Sequence, residues 1–457
     1  MPVNMQQDWE GNDHVKKIRS NGALFLGLAA IIGVIIAVII YLYLLAANLG
    51  VSLIWNIIPE GLASVADIDT KVYTVALCLI GGLIVGLYQK FGGQYPEDMV
   101  AVVKRSVKER YLDYSKIPLI IVASLLPLFF GGAVGPEAGL VGILLGFVFW
   151  TLDQYNKQKV TMMDYIEEYP NISRPALFRV MIKTLFLPAA NLEGARDAYE
   201  WKKPEAVTAG VTTGIVALIC YVALNQFVFT ALEVPHLEAT PMNAFSRVFA
   251  IVLIAAGIGA GYLYLLFHKA CSFLFRKLRE KKSLTVINAL LGGLILGLIG
   301  AYIPMSMFSG GTHIQAMAYE YAAYTPVMLI VIGLVKLFLT NVCIESGWRG
   351  GHIFPIIFSG LSIAYGLSVL LGINQVYAVV LLTTALLATV FQQPVAAIFL
   401  SIIFFPLEDI GWMLVAGCIA GCIPQPKALR MNPDNDGFIP NIMRFTKQRR
   451  LDTDKVE

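Results

Sequence analysis

The chain has 457 residues, 57% of them hydrophobic and 14% charged. A water-soluble domain carries about a quarter charged residues, so this composition excludes a soluble globular protein and makes lipid the solvent for the excess apolar surface. The net charge of +3, with no basic patch interleaved with aromatics, gives no footing for nucleic acid. The six cysteines at 78, 220, 271, 343, 418 and 422 lack the histidines and further ligands of a metal site. They read as packing residues, and neither a metal nor a cofactor is expected.

The first apolar stretch, 23–47, follows Lys16, Lys17 and Arg19. It is longer than the roughly 7–15 residues of a signal-peptide core, so it reads as an uncleaved first span. Further apolar segments lie at 72–88, 117–130, 138–152, 175–189, 206–231, 246–268, 285–303, 327–343, 352–371, 376–391 and 394–417. Those at 117–130 and 138–152 are too short to cross a bilayer alone. Short segments broken by Gly and Pro are what transporters use where half-helices point their ends at a substrate. The fold expected is an all-α polytopic membrane protein with discontinuous, short, tilted helices. Segment 190–205 is the least membrane-like part of the interior.

Loop charges set an orientation. Segment 89–116 holds Lys90, Lys104, Arg105, Lys108, Arg110 and Lys116, and 269–283 carries six basic residues. Segment 47–71 has only Lys71, and from Ala301 to Val335 there is no Lys or Arg. The positive-inside rule then places both termini in the cytoplasm of a multi-pass cell-membrane protein.

GGLIVGL at 81–87 returns as GGLILGL at 292–298. GGQYPED from Gly92 is echoed by SGGTHIQ from Ser309, and GGAVGPEAGLVG at 131–142 by GWRGGHIFPIIFSG at 347–360. Three pairs in one order, offset by 211–219 residues, indicate a duplication. One glycine turn adjoins a basic loop and its echo adjoins a loop without basic residues, so the repeat is inverted. Such repeats place the substrate site between the halves, near the midplane. The expected partition is 1–71 (N-terminus and first span), 72–245 and 246–423 (the two repeats) and 424–457 (cytoplasmic tail).

Glu137 is the sharpest single residue. It opens an apolar helix inside a hydrophobic protein, where an ionisable group is expensive and marks function. A helix N-terminus binds anions, so a carboxylate there acts as a tethered anion that occupies the site until it is protonated or displaced. Gly135, Pro136, Ala138 and Gly139 surround it; Pro136 suits a first helical turn. A second site falls at 350–358, where Gly351, His352, Ile353 and Phe354 combine free backbone with a dry wall. A third falls at Gly93, Gln94 and Tyr95, whose N–H groups would face the same ion. His352 reads as a hydrogen-bonded structural residue, and Arg349 as an interfacial anchor.

Together these segments resemble the CLC family of chloride channels and proton-coupled chloride exchangers. The family's GSGIP looks like GGQYP here, its GREGP like GPEAG at 135–139, and its GxFxP like GHIFP at 351–355. SGGTHIQAM at 309–317 and the apolar stretch 381–404 are similar to later family segments. The resemblance covers about residues 72–150 and 285–420 and is poor over 155–245. It implies a homodimer with one pore per subunit, gating by Glu137, and chloride as the ion, with protons as a second cargo. It also implies an inner proton-transfer carboxylate, for which Glu193, Asp197 and Glu200 are the loose matches. The family serine falls on Gly93 and the GxFxP phenylalanine on Ile353, and no inner tyrosine is matched. A fluoride-selective member is therefore an alternative, as is a secondary solute transporter outside the family. No HExxH or GxSxG motif points to an enzyme.

Overall fold

A computed structural model describes residues 22–63, 69–109, 112–185, 204–228, 237–238 and 244–431. Glu193, Asp197 and Glu200 lie outside them. In lipid a backbone can hydrogen-bond only within itself, and the apolar runs accordingly fold as helices. The first is α1 (Gly22–Ser52), which continues through a π-helical turn, Leu53–Ile57, into α2 (Ile58–Ala63). Then come α3 (Thr70–Gly92), α4 (Met99–Glu109), α5 (Ile117–Phe129), α6 (Glu137–Glu168), α7 (Arg174–Thr184) and α8 (Pro204–Phe227). The later helices are α9 (Ala244–Val248), α10 (Ala250–Arg279), α11 (Thr285–Gly300), α12 (Gly311–Glu320) and α13 (Pro326–Ser346). The last are α14 (Ile353–Leu371), α15 (Gln375–Phe391), α16 (Pro394–Phe404) and α17 (Ile410–Cys422). Among the described residues, eight helices are long and apolar enough to cross a membrane.

Two segments differ from expectation. The run 138–152 is only the apolar start of α6, a helix of 32 residues. Its polar continuation contains no Pro or Gly to end it. The run 394–417 is two helices rather than one. Pro406 brings no N–H to continue α16, and a 3-10 turn, Leu407–Asp409, separates it from α17.

The described parts of 1–48, 99–118 and 140–232 form one unit, and those of 49–98, 119–139 and 233–457 another. In the first, α1 packs on α7 and α8 through its glycines. A Cβ on Gly27 would meet the Phe178 ring, and one on Gly33 the Thr213 carbonyl. Thr213 donates its hydroxyl proton to the Ala29 carbonyl at 3.2 Å.

In the second unit, α3 and α11 pack through the repeated glycines. A Cβ on Gly82 would strike Ala289 backbone, and one on Gly293 the Cys78 carbonyl; Gly86 likewise faces Val286, and Gly297 faces Val75. Residues 286, 289, 293 and 297 are the 211-residue counterparts of 75, 78, 82 and 86. Each contact therefore has its mirror, as a two-fold axis requires. Partner numbers fall as numbers along α3 rise, so the two helices run antiparallel. The duplication is thus inverted in space as its loop charges indicate.

Trp348, fully buried, fills the space left at Gly81, Gly292 and Gly293. Its indole N–H donates to Ala289 O at 2.9 Å. Further in, α15 is buried on all sides from 376 to 390, as a helix apolar all round must be. Against it pack α14 and the inner face of α10.

Candidate functional site

The second and third glycine motifs converge on one short bridge. Gly135 and Gly351 exchange both backbone hydrogen bonds, each at 2.7 Å, in an antiparallel pair. They are 216 residues apart, the offset of their motifs, so each pairs with its own counterpart and the pseudo-two-fold axis passes between them. Two residues later, Glu137 opens α6 and its counterpart Ile353 opens α14. The halves thus present two helix N-termini at one point, and only one of them carries a carboxylate.

That carboxylate turns toward the other half. Glu137 Oε1 accepts the N–H of Phe354 at 2.6 Å, one of the amides that the first turn of α14 leaves free. Oε2 lies against Gly135 and Gly351, where any Cβ would collide with it. It is buried with no partner among the described residues, and Glu137 as a whole is 9% exposed. Phe354 is buried and meets the Phe404 ring edge-on at 5.5 Å; Ile353 packs against the same cluster. Ala138 is buried beside the carboxylate, and Pro136 and Gly139 complete the turn into α6.

The motif at Gly93 is placed differently. Gly93 ends α3 with φ +100° and ψ 170°, a region open essentially to glycine alone. Its neighbour Gln94 accepts from Arg349, through its carbonyl at 3.2 Å and its side-chain oxygen at 2.7 Å. Tyr95 N–H bonds back to Gly93 O. Arg349 therefore clamps this loop to the one that leads to Gly351. Gln89 reinforces the tie by donating to Gly347 O. His352 is held by rings: it stacks on Phe391 at 5.3 Å and lies 6.4 Å from Tyr264.

Three ionisable residues go unnoticed in the sequence, the buried Lys336 and Glu345 and the half-buried His268. Lys336 is fully buried in α13 and donates to Met307 O and Phe308 O at 2.5 and 2.7 Å, with its ammonium 5.2 Å from the Phe358 ring. Glu345, near the end of α13, is ion-paired with Arg279 and lies 3.5 Å from His268. Their signal was charge within or beside an apolar run, the same signal that marks Glu137.

A family model described as voltage gated chloride channel matches residues 198–425. Among curated proteins the chain is similar to the YfeO proteins, which carry a provisional assignment to ion transport. The Salmonella newport protein is 22% identical over 418 residues, covering 87% of this chain and 96% of its own. The Escherichia coli protein is 23% identical over 426 residues, covering 90% and 97%. Among solved structures, a slow cyanobacterial Cl−/H+ antiporter matches with TM-score 0.63 at 16% identity, covering 87% of this chain and 93% of its own. A CLC-type fluoride/proton antiporter matches with TM-score 0.59 at 17% identity, covering 89% and 95%.

Proposed function

Because this chain belongs to the chloride channel (CLC) family, we propose that it moves small inorganic anions, chloride foremost, past Glu137. The observation that carries the reading is the 2.6 Å hydrogen bond from Phe354 N–H to Glu137 Oε1. A helix N-terminus offers free amides and a positive dipole end. In a dry site such donors replace an ion's water shell. The carboxylate occupies the donor that a mobile anion would use. Protonating Glu137 removes its charge, weakens its hold on the amide and opens the place to the ion. Transport then speeds up as pH falls, and a proton taken up by Glu137 travels against the anion.

The assembly that goes with this reading is a homodimer with one pore per subunit, in the cell membrane, with both termini cytoplasmic. Fluoride is the second reading. It is favoured by Gly93, which offers no hydroxyl to the ion where the family has a serine.

The test is efflux from liposomes holding the purified chain, with a chloride electrode and an internal pH dye read together. The unaltered protein is expected to release chloride faster at lower pH while protons move the other way. Glu137→Gln carries the shape of the protonated acid without its charge. It should transport anions with no pH dependence and no proton movement. Unchanged pH-dependent flux in that variant removes Glu137 from the gate. Silence with chloride and flux with fluoride changes the substrate and leaves the gate standing.

A further inference from the structure

The π-helical turn Leu53–Ile57 brings Trp55 onto the start of the loop that carries Glu137. π-Turns inside helices are frequent at functional sites. The Trp55 indole N–H donates to Phe129 O at 2.8 Å, at the end of α5. The ring stands edge-on to Phe308 at 5.1 Å. It also lies over Gly131, where a Cβ would come within 2.8 Å of the indole and 2.6 Å of the Met307 methyl. Tyr73 secures the turn by donating to Ile54 O at 2.5 Å.

On the other side of Phe308 stands Lys336. It is fully buried, and among the described residues no carboxylate lies within ion-pair distance of it. Its ammonium donates to Met307 O and Phe308 O and faces the Phe358 ring at 5.2 Å. The peptide unit joining Met307 to Phe308 therefore has a cation at its oxygen, and its N–H donates to Gly131 O at 3.0 Å. The unit joining Gly131 to Gly132 accepts that bond and donates in turn to Pro127 O at 2.8 Å. Hydrogen bonds in such a chain polarise one another, so a cation at its head strengthens the bonds that follow. Phe308 holds φ +57°, a backbone conformation that persists in a residue with a side chain only where the surroundings impose it. Two bonds to Lys336 and the Trp55 ring impose it here. A buried cation without a counter-charge costs far more than a neutral donor would, and in a membrane protein such a group marks function.

Resting on the reading of Glu137 as the gate, we propose that Lys336 and Trp55 are positioning residues that hold the Glu137 loop at the depth where its carboxylate meets Phe354 N–H. The Gly135–Gly351 bridge fixes that loop at one point and leaves a rotation about it. The hold on Gly131, four residues earlier, removes the rotation. Lys336 also touches both partners of the bond between Glu137 and Phe354 N–H. It reaches the carboxylate's side through the Met307–Phe308 peptide and Gly131. It reaches the amide's side through Phe358, one turn after Phe354 on the same face of α14. The lysine is a poor stopping place for an anion, because two carbonyls and a ring already engage its ammonium. The titratable groups that face it are His313 on α12, whose ring lies 6.1 Å from that of Phe358, and Cys343 on its own helix.

The experiment measures anion flux from liposomes at acid and at alkaline pH for the unaltered chain, Lys336→Met, Glu137→Gln and the double variant. Methionine keeps the length of the side chain and removes its charge and donors. Lys336→Met is expected to loosen the carboxylate's hold and raise flux at alkaline pH, so that the ratio of acid to alkaline flux falls about three- to tenfold. In the Glu137→Gln background the same change should leave flux as it was, because the lysine acts through the carboxylate. An unchanged ratio in Lys336→Met overturns the proposal. So does an equal loss of flux with glutamate or glutamine at 137, which assigns the lysine to the anion path or to the fold. Trp55→Phe keeps an aromatic ring and removes the N–H that holds Phe129 O. It is expected to move the ratio in the same direction, and where Lys336→Met does not assemble, an unchanged ratio in Trp55→Phe overturns the proposal. If Glu137→Gln alone retains the pH dependence of the unaltered chain, the gate reading fails and the positioning role with it. If Glu137→Gln loses that dependence and Lys336→Met does not alter it, the positioning role alone fails.

Discussion

Glu137 and Ile353 occupy equivalent places in two halves related by a pseudo-two-fold axis, and the chemistry of the site lies in their difference. One half supplies a carboxylate, and the other supplies the amide of Phe354 that receives it. Glu137 was legible in the sequence because a lone charge among glycines at the head of an apolar helix has few structural uses. Lys336, Glu345 and His268 were not, since each sits within or at the end of a long apolar run whose three-dimensional neighbours the sequence does not display. Gly93 carries a residue-scale prediction. The family's serine is missing here, and the backbone at φ +100° supplies a reason, because a side chain at that position is strained and its Cβ would lie 3.1 Å from the Tyr95 ring. Gly93→Ser is therefore expected to lower stability by about 1–3 kcal/mol without tightening chloride. A thermal melt in detergent, with chloride titrated into both proteins, tests this. A variant that melts normally and binds chloride more tightly shows that the hydroxyl reaches the ion after all.

At the scale of elements, glycines decide how closely helices approach. Hydrocarbon tails are as apolar as leucine, so association in lipid relies on close packing, and α3 and α11 achieve it backbone to backbone. The repeated GGLI motifs made the duplication legible. That the two copies pack on each other, each glycine contact repeated by its counterpart, required coordinates. The lengths of α6 and of the α16–α17 pair escaped the sequence for a different reason. Hydropathy marks where lipid ends but not where a helix does, and the Pro406 break lies inside an unbroken apolar run. The prediction at this scale contrasts two glycines in helix interiors. A Cβ on Gly293 meets the Cys78 carbonyl, whereas one on Gly259 of α10 meets nothing within 4 Å. Gly293→Ala should destabilise by about 1–3 kcal/mol through overpacking. Gly259→Ala should be neutral, or stabilising by up to about 1 kcal/mol from helix propensity. Equal melting shifts for the two would mean that α3 and α11 do not rely on that contact.

For the molecule as a whole, orientation in the bilayer follows from joining charge to geometry. Gly86, near the end of α3, faces Val286, near the start of α11. Lys90 and the pair Lys281–Lys282 therefore lie toward one side. The opposite ends lead into 47–71, which holds only Lys71, and into 301–335, which holds no basic residue. Lys71 stands 4.6 Å over the Tyr302 ring at that far side. One face of this unit is thus basic and the other nearly free of cations, and the positive-inside rule assigns the basic face to the cytoplasm. On the proposed orientation Tyr302, 73% exposed, faces outward and Lys282 inward. In a background with Cys418 and Cys422 changed to alanine, Tyr302→Cys should react with a membrane-impermeant maleimide on intact cells. Lys282→Cys should react only after the cells are opened. The reverse pattern would turn the molecule over in the membrane.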